Sequence, residues 1–81
     1  MMHLNTYGLM QRGFKIVGMY EAYTKGQKRL NVECYSNGHE FLVRRWRRGE
    51  RVWDNLFTDR HEANKEVKWL LSRESFYKRT F

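Results

Sequence analysis

Residues 28–51 read KRLNVECYSNGHEFLVRRWRRGER, and this pattern predicts a β-hairpin. Asn37-Gly38 suits both positive-φ positions of a two-residue type I′ turn. With that turn Ser36 pairs with His39, and side chains alternate between the two faces of the hairpin. One face is apolar over most of its length, whereas the other carries arginine and tryptophan. This asymmetry is the strongest functional signal in the sequence.

The rest of the chain extends the hairpin into one small α+β domain. The predicted architecture is an antiparallel β-meander of three to four strands covered by one C-terminal helix. Residues 1–13 predict an irregular lead-in, 14–57 the meander, 58–73 the helix and 74–81 a basic, aromatic tail. Arg48-Gly49 predicts a second two-residue turn, followed by a strand from Arg51. This second turn places Trp53 beside Arg44 on the arginine-rich face.

The predicted helix begins at Thr58 or Asp59, and Asp59 with Glu62 fits a capping box. Its apolar stripe consists of Ala63, Val67, Leu70 and Leu71. We expect this stripe to cover the apolar face of the sheet, which is formed by Leu30, Val32, Cys34, Phe41 and Val43. Burial of these side chains is the main stabilising contribution expected for the domain.

The composition of the chain indicates which class of partner it binds, but it does not indicate a reaction. The 81 residues carry a formal charge of +7, and residues 28–51 hold a net +4 of it from seven cations and three carboxylates. This excess favours a polyanionic partner, either a nucleic acid or an acidic protein. So short a chain buries limited surface, which makes homodimerisation a further expectation. A single cysteine and the lack of a membrane-length apolar run predict a cytoplasmic protein. The predicted helix has no clean cationic amphipathic face, which predicts that the protein does not bind membranes.

The arginine-rich face is the first candidate site. Arginine forms bidentate bonds with phosphate, and an indole offers a plane on which an unstacked base can lie. Because RNA is read largely through splayed bases, this pairing favours RNA over DNA. The predicted nucleic-acid-binding residues are Lys28, Arg29, Arg44, Arg45, Trp46, Arg47, Arg48, Arg51 and Trp53. The structural alternative is that Arg29 and Arg51 stack on Trp46 as cation–π partners.

A second patch lies on the predicted helix, away from its apolar stripe. Its members are Lys65, Lys68, Trp69 and Arg73. Trp69 is nearly opposite Val67 at helical spacing, so its side chain is expected to point outward. An outward tryptophan marks an interface, a base-stacking site or a surface covered by the tail.

The sequence predicts no metal site, no catalytic residue and no cofactor. Cys34, His39 and His61 could supply three metal ligands, but Cys34 points into the core and the spacing fits no zinc motif. His39, Glu40 and Arg44 could serve a metal-independent ribonuclease, with His or Glu as the base and Arg stabilising the phosphorane. A small endoribonuclease toxin is therefore an alternative to non-enzymatic binding.

In size, charge and meander-plus-helix layout, the chain resembles three groups of nucleic-acid-binding proteins. One is the arm-type DNA-binding domain of phage and transposon integrases, and another is a double-stranded-RNA-binding domain without its first helix. The third comprises small basic early proteins of tailed phages, in particular the TifA-type inhibitors of RNA-guarded toxin–antitoxin systems. That resemblance implies binding to RNA together with a toxin or host protein. The remaining alternatives are DNA binding by the sheet and a protein-only inhibitor of an acidic host target.

Overall fold

A computed structural model of the chain describes residues 6–50 and 52–81. The elements are α1 (Thr6–Gln11), β1 (Lys15–Thr24), β2 (Gln27–Ser36), β3 (Phe41–Arg47), β4 (Trp53–Phe57), α2 (Arg60–Ser72) and β5 (Tyr77–Arg79). The strands form one antiparallel sheet in the order β4-β3-β2-β1-β5. The α+β class and the covering C-terminal helix are confirmed. The sheet has five strands, which exceeds the predicted three to four.

Helix α2 covers one face of the sheet, and the main core lies between them. Asp59 caps the helix, because its side chain accepts a hydrogen bond from the His61 amide at 3.1 Å. The predicted stripe and the predicted sheet positions pack together, with Phe41 half-buried at the margin. The fully assembled core consists of Ala22, Leu30, Val32, Cys34, Val43, Ala63, Val67, Leu70 and Leu71. The helical periodicity and the strand alternation therefore identified eight of these nine residues, and Ala22 of β1 was missed.

The β2–β3 connection is a four-residue loop rather than the predicted two-residue turn. Ser36 pairs with Phe41. Asn37 Oδ1 accepts hydrogen bonds from the amides of His39 at 2.9 Å and Glu40 at 2.7 Å, which closes the wider loop. The register is displaced by two residues from the prediction. Because two residues are a whole side-chain period, β2 and β3 keep their predicted faces.

Type I′ geometry occurs instead at the β1–β2 turn. Lys25 and Gly26 have φ angles of +52° and +77°, and Thr24 pairs with Gln27 across the turn. Glycine enters this left-handed region without steric cost, whereas Lys25 does so against the preference of its Cβ. The turn therefore holds a lysine at the end of the sheet that also carries the β3–β4 connection.

The β3–β4 connection is longer than predicted. Strand β4 begins at Trp53, and the predicted strand start, Arg51, lies outside the described residues. Arg45 pairs with Trp53, and Arg44 pairs with Asp54. This register differs from the prediction by one residue, and such a shift moves every side chain of a strand to the other face. Trp53 therefore lies on the α2 side of the sheet with Arg45, and its predicted place beside Arg44 is wrong.

Helix α1 replaces part of the predicted irregular lead-in, whose residues 1–5 lie outside the described residues. It ends in a Schellman motif at Gly13, which has a φ of +81°. The Phe14 amide donates to the Leu9 carbonyl and the Gly13 amide to the Met10 carbonyl, both at 3.0 Å. A second cluster of Leu9, Phe14, Tyr35 and Leu42 lies on the face opposite α2. One end of the sheet is thus covered on both faces.

The predicted C-terminal tail forms the fifth strand. β5 pairs with residues Tyr20–Ala22 of β1 at the edge of the sheet far from β4. Arg79 lies 5.4 Å from the centroid of the Tyr20 ring, and Lys78 lies 5.2 Å from that of Tyr23. Helix α2 carries the chain across the sheet from β4, which delivers the tail to the edge of β1. The pattern of residues 74–81 gave no indication of this pairing, since a three-residue strand is too short to show alternation.

Candidate nucleic-acid interface

Two tryptophans from distant parts of the chain meet at a cleft between the sheet and α2. Trp53 begins β4 and is 41% exposed, and Trp69 lies in α2 and is 55% exposed. Both line a cleft of about 270 Å³ together with Arg45, the cross-strand partner of Trp53. The one-residue register of β4 produces this meeting, because the predicted register would put Trp53 on the other face.

The cleft continues toward the β3–β4 connection. Arg45, Trp69 and Leu70 also line an adjoining cavity of about 410 Å³, which is bounded by Arg47 and Arg73. The Arg73 guanidinium lies 5.4 Å from the centroid of the Trp69 ring, which is a cation–π distance. We call the two cavities together the tryptophan groove. It combines two exposed indoles with three arginines.

Carboxylates partly neutralise the arginines of the tryptophan groove. Arg45 lies 3.2 Å from Glu50, and Arg47 lies 3.4 Å from Glu74. Neither arginine head is fully shielded, and ion pairs that water reaches contribute little free energy. Arg45 Nε is buried and has no hydrogen-bond partner among the described residues. Arg73 has no carboxylate partner among them, so the groove retains donors for an anionic ligand.

Uncompensated positive charge is concentrated where the β1–β2 and β3–β4 turns lie side by side. Lys25, Arg29 and Arg48 are exposed there, and no carboxylate of the described ranges lies within ion-pair distance of them. The Arg48 side chain donates to Gln27, and its amide donates to the Arg29 carbonyl at 3.0 Å. We call these three cations the basic end. Arg47 connects the basic end to the tryptophan groove.

Arg44 does not occupy the exposed position that the sequence predicted. Its Nε and Nη2 donate to the two carboxylate oxygens of Asp54 at 2.8 and 3.1 Å, and both residues are buried. The guanidinium also lies 5.7 Å from the centroid of the Tyr35 ring. The β4 register is the cause, since it sets a carboxylate directly across from this arginine. A phosphate would have to displace a buried bidentate partner to bind Arg44.

Trp46 keeps its predicted face, which is the face opposite α2, and Lys28 lies on the same face because the β1–β2 register shifts between Ala22 and Tyr23. Trp46 is half-buried opposite Asn31, and Lys28 Nζ lies 2.7 Å from Glu21. The hydrogen bond to Glu21 raises the pKa of Lys28, and the same bond lowers the pKa of Glu21. A shallow groove of about 480 Å³, which we call the open-face groove, is lined by Lys28, Asn31, Glu33, Arg44, Trp46 and Val52. Both cations of this groove, Lys28 and Arg44, have carboxylate partners, so the groove itself carries little uncompensated positive charge.

The structure divides the predicted second patch. Trp69 and Arg73 join the tryptophan groove, whereas Lys65 and Lys68 stay on the solvent side of α2 and line neither cavity. Sequence reasoning missed Lys25 as a member of the basic end. Its position before a glycine in a tight turn was the available signal, because such turns project their side chains into solvent.

The residues considered for metal or ribonuclease chemistry do not form a site. Cys34 lies in the core, where burial raises the pKa of its thiol, whereas His39 and His61 are exposed. No three His, Cys, Asp or Glu side chains of residues 6–50 and 52–81 form a group that could hold a metal ion. The ribonuclease hypothesis needed Arg44 near His39 and Glu40 as a phosphorane donor, but its guanidinium is bound by a buried carboxylate.

Neither known protein families, nor curated proteins, nor solved structures provide a match to this chain. No helix in the described part of the chain is both long and apolar enough to cross a bilayer. A functional proposal therefore rests on the chemistry of the grooves and of the basic end.

Proposed function

We propose that this protein is a non-enzymatic nucleic-acid-binding module that holds single-stranded RNA in the tryptophan groove. The observation that carries the proposal is the convergence of Trp53 and Trp69, both about half exposed, on one cleft beside Arg45. Leaving two large indoles in water is unfavourable, whereas stacking a base on one gains about 1–3 kcal/mol. The groove therefore offers binding sites for two unstacked bases.

The electrostatics complement the stacking surface. A single strand that runs along the groove past Arg47 meets the basic end of Lys25, Arg29 and Arg48. These cations have no carboxylate partner within the described residues, so they can neutralise phosphates without breaking an ion pair. The overall charge of +7 adds long-range attraction for a polyanion.

Single-stranded RNA is favoured over duplex DNA by the shape of the groove. A cleft that two exposed indoles line can receive a splayed base, whereas the bases of a duplex stay stacked on one another. Arm-type DNA binding by the exposed sheet has less support, because the two cations of the open-face groove are held by carboxylates. The resemblance to phage inhibitors, homodimerisation and a cytoplasmic location stay predictions.

A protein partner is the second candidate, and one observation favours it. Arg45 and Arg47 already have carboxylate neighbours, and exposed tryptophans beside paired charges are typical of protein-interface hot spots. An acidic host protein would use the same indoles with less dependence on the basic end. Binding measurements with defined nucleic acids separate the two candidates.

The test is fluorescence anisotropy with labelled single-stranded RNA, single-stranded DNA and duplex DNA at several salt concentrations. We expect Trp53→Ala and Trp69→Ala each to weaken RNA binding by about 5- to 150-fold, which corresponds to the loss of one stacked base. Phe76→Ala is the matched control, since Phe76 is an exposed aromatic outside the groove. Arg29→Ala and Arg48→Ala should each reduce the salt slope by about 0.7.

Equal RNA affinity of the tryptophan variants and of the Phe76 control would contradict the proposal. Absence of binding to all three nucleic acids by the folded protein would instead favour the protein partner. Circular dichroism of each variant establishes that the fold is retained, which is expected because both indoles are exposed.

A further inference from the structure

The open-face groove carries a second, chemically different arrangement. It lies on the other side of the sheet from the tryptophan groove and has a volume of about 480 Å³. This is enough space for one nucleobase, though the groove is shallow. Two features distinguish it from a solvated strand surface. One is a half-buried indole, Trp46 of β3, and the other is a pair of acceptor oxygens on β2, Asn31 Oδ1 and Glu33 Oε2, to which no described residue donates.

The acceptors belong to alternate residues of β2. Glu33 Oε1 accepts from the Tyr35 hydroxyl at 2.9 Å, and no described residue donates to Oε2. Asn31 Oδ1 is shielded from water and also lacks a donor among the described residues. A buried acceptor without a donor is costly, and rotation of the Asn31 amide toward the groove would expose this oxygen to a ligand. The groove thus favours a ligand that donates more than one hydrogen bond.

Glu33 contributes, after Glu21, to the raised pKa of Lys28, but within the described residues both nearby cations are ion-paired with other carboxylates. Lys28 is held by Glu21 at 2.7 Å, and Arg44 is held by Asp54 at 2.8 Å. Glu33 itself forms no ion pair with a described residue. Its carboxylate therefore remains available as a hydrogen-bond acceptor in the groove that Trp46 also lines.

Guanine matches this arrangement better than the other bases. Its Watson–Crick edge places the N1–H and N2–H₂ donors side by side, which suits the two oxygens of one carboxylate. Adenine, cytosine and uracil each pair a donor with an acceptor on that edge, and the acceptor would face the carboxylate. A cationic ligand would satisfy Glu33 but would be repelled by the net charge of +7 of the protein.

We propose that the open-face groove binds a guanine base, stacked on Trp46 with its Watson–Crick edge on Glu33. The inference rests on the proposed function, because the guanine would be part of the same single-stranded RNA or of a second strand. It assigns sequence preference to one face of the sheet and sequence-independent stacking to the other.

The experiment compares three RNA oligonucleotides of equal length: adenine only, adenine with one guanine, and adenine with inosine at that position. We expect the guanine oligonucleotide to bind about tenfold more tightly than the adenine one, within the range for a bidentate base contact. Inosine lacks the N2 amino group, so it should lose most of this gain. The inosine comparison uses the unaltered protein and does not depend on the folding of any variant.

Glu33→Gln is the matching protein variant, because it keeps the size of the side chain and replaces one acceptor by a donor. It should abolish the guanine preference while adenine binding is unchanged. Glu62→Gln is the control, since it makes the same charge change on the exposed surface of α2. Trp53→Ala should weaken all three oligonucleotides alike.

Two outcomes distinguish a failure of the guanine site from a failure of the proposed function. If all three oligonucleotides bind equally well, the guanine site is wrong and the proposed function stands. If none binds, the proposed function is wrong, and titration with guanosine and adenosine monophosphates decides the site by itself. Preference for the guanine nucleotide would support it, and equal or absent binding of both would overturn it.

Discussion

Arg44 and Arg45 are neighbours in the chain but occupy opposite faces of the sheet and different environments. Arg44 is 6% exposed, and both of its bonds to Asp54 are shielded from water. Arg45 lines the tryptophan groove, and its partner Glu50 has a side chain that is 50% exposed. The same residue type thus serves to hold two strands together at one position and to line a ligand groove at the next.

The number of arginines in a strand therefore does not indicate how many of them are available to an anionic ligand. Alternation assigns each arginine to a face, but the partner across the strand decides whether the charge is available. Asp54 binds Arg44 because β4 places it directly opposite, whereas Arg45 faces an indole at the equivalent position. The binding surface therefore follows the β3–β4 register rather than the composition of β3.

The largest expected effect comes from removing one partner of the buried pair. Asp54→Ala removes the carboxylate that binds the buried Arg44 guanidinium, which should cost about 3–5 kcal/mol of the free energy of unfolding. Glu50→Ala removes the carboxylate of the exposed pair and should cost less than about 1 kcal/mol. Urea denaturation of both variants measures the contrast. Similar losses in the two variants would show that Arg44 and Arg45 do not differ as described.

A charge-free replacement sharpens the same comparison with a smaller effect. The double variant Arg44→Met with Asp54→Leu removes both charges and retains apolar volume, so no buried charge is left unpaired. Such replacements are often neutral, and we expect the double variant to recover most of the stability lost in Asp54→Ala. A double variant as unstable as Asp54→Ala would mean that packing around this position, not the charge, is decisive.

The core was predictable because its periodicities are long and independent of register. The stripe of α2 runs from Ala63 to Leu71 at helical spacing, and the apolar face of β2 and β3 is unchanged by a two-residue error in register. The wider β2–β3 loop arises from local hydrogen bonds of the Asn37 side chain, which compete with a type I′ turn. That error leaves every face unchanged and does not affect the predicted core.

The candidate site was less predictable, because it depends on a one-residue register and on a short element. Trp53 was assigned to the wrong face, since a turn at Arg48-Gly49 does not fix where the next strand begins. The convergence of Trp53 with Trp69 follows from tertiary packing and has no local signal. Helix α1 did have a local signal in the sequence. Gly13 is followed by Phe14 and preceded four residues earlier by Leu9, which fits a Schellman motif with a hydrophobic contact between Leu9 and Phe14.

The smallest expected effect on stability concerns a third ion pair. Its exposure to solvent lies between that of Arg44–Asp54 and that of Glu50 in the Arg45–Glu50 pair. Lys28 and Glu21 are 2.7 Å apart, with side chains 42% and 15% exposed. The hydrogen bond from Lys28, and next that from Tyr23, lowers the pKa of Glu21. A carboxyl group whose pKa is lower in the folded state stabilises the fold above its unfolded pKa of about 4.3, and this stabilisation is lost as the pH falls through the folded pKa. The raised pKa of Lys28 keeps its charge present throughout that range.

Glu21→Gln therefore should reduce the stability at pH 7 by less than about 1 kcal/mol, as expected for a pair that water reaches. At a pH below the lowered folded-state pKa of Glu21 the native and variant proteins should be equally stable, because Glu21 is then protonated in the native protein as well. Urea midpoints at the two pH values measure the difference. A deficit that persists in acid would show that Glu21 stabilises the fold by packing or through its hydrogen bond with Tyr23, and not by its charge. A loss at pH 7 as large as that of Asp54→Ala would remove the distinction between buried and exposed pairs on this face of the sheet.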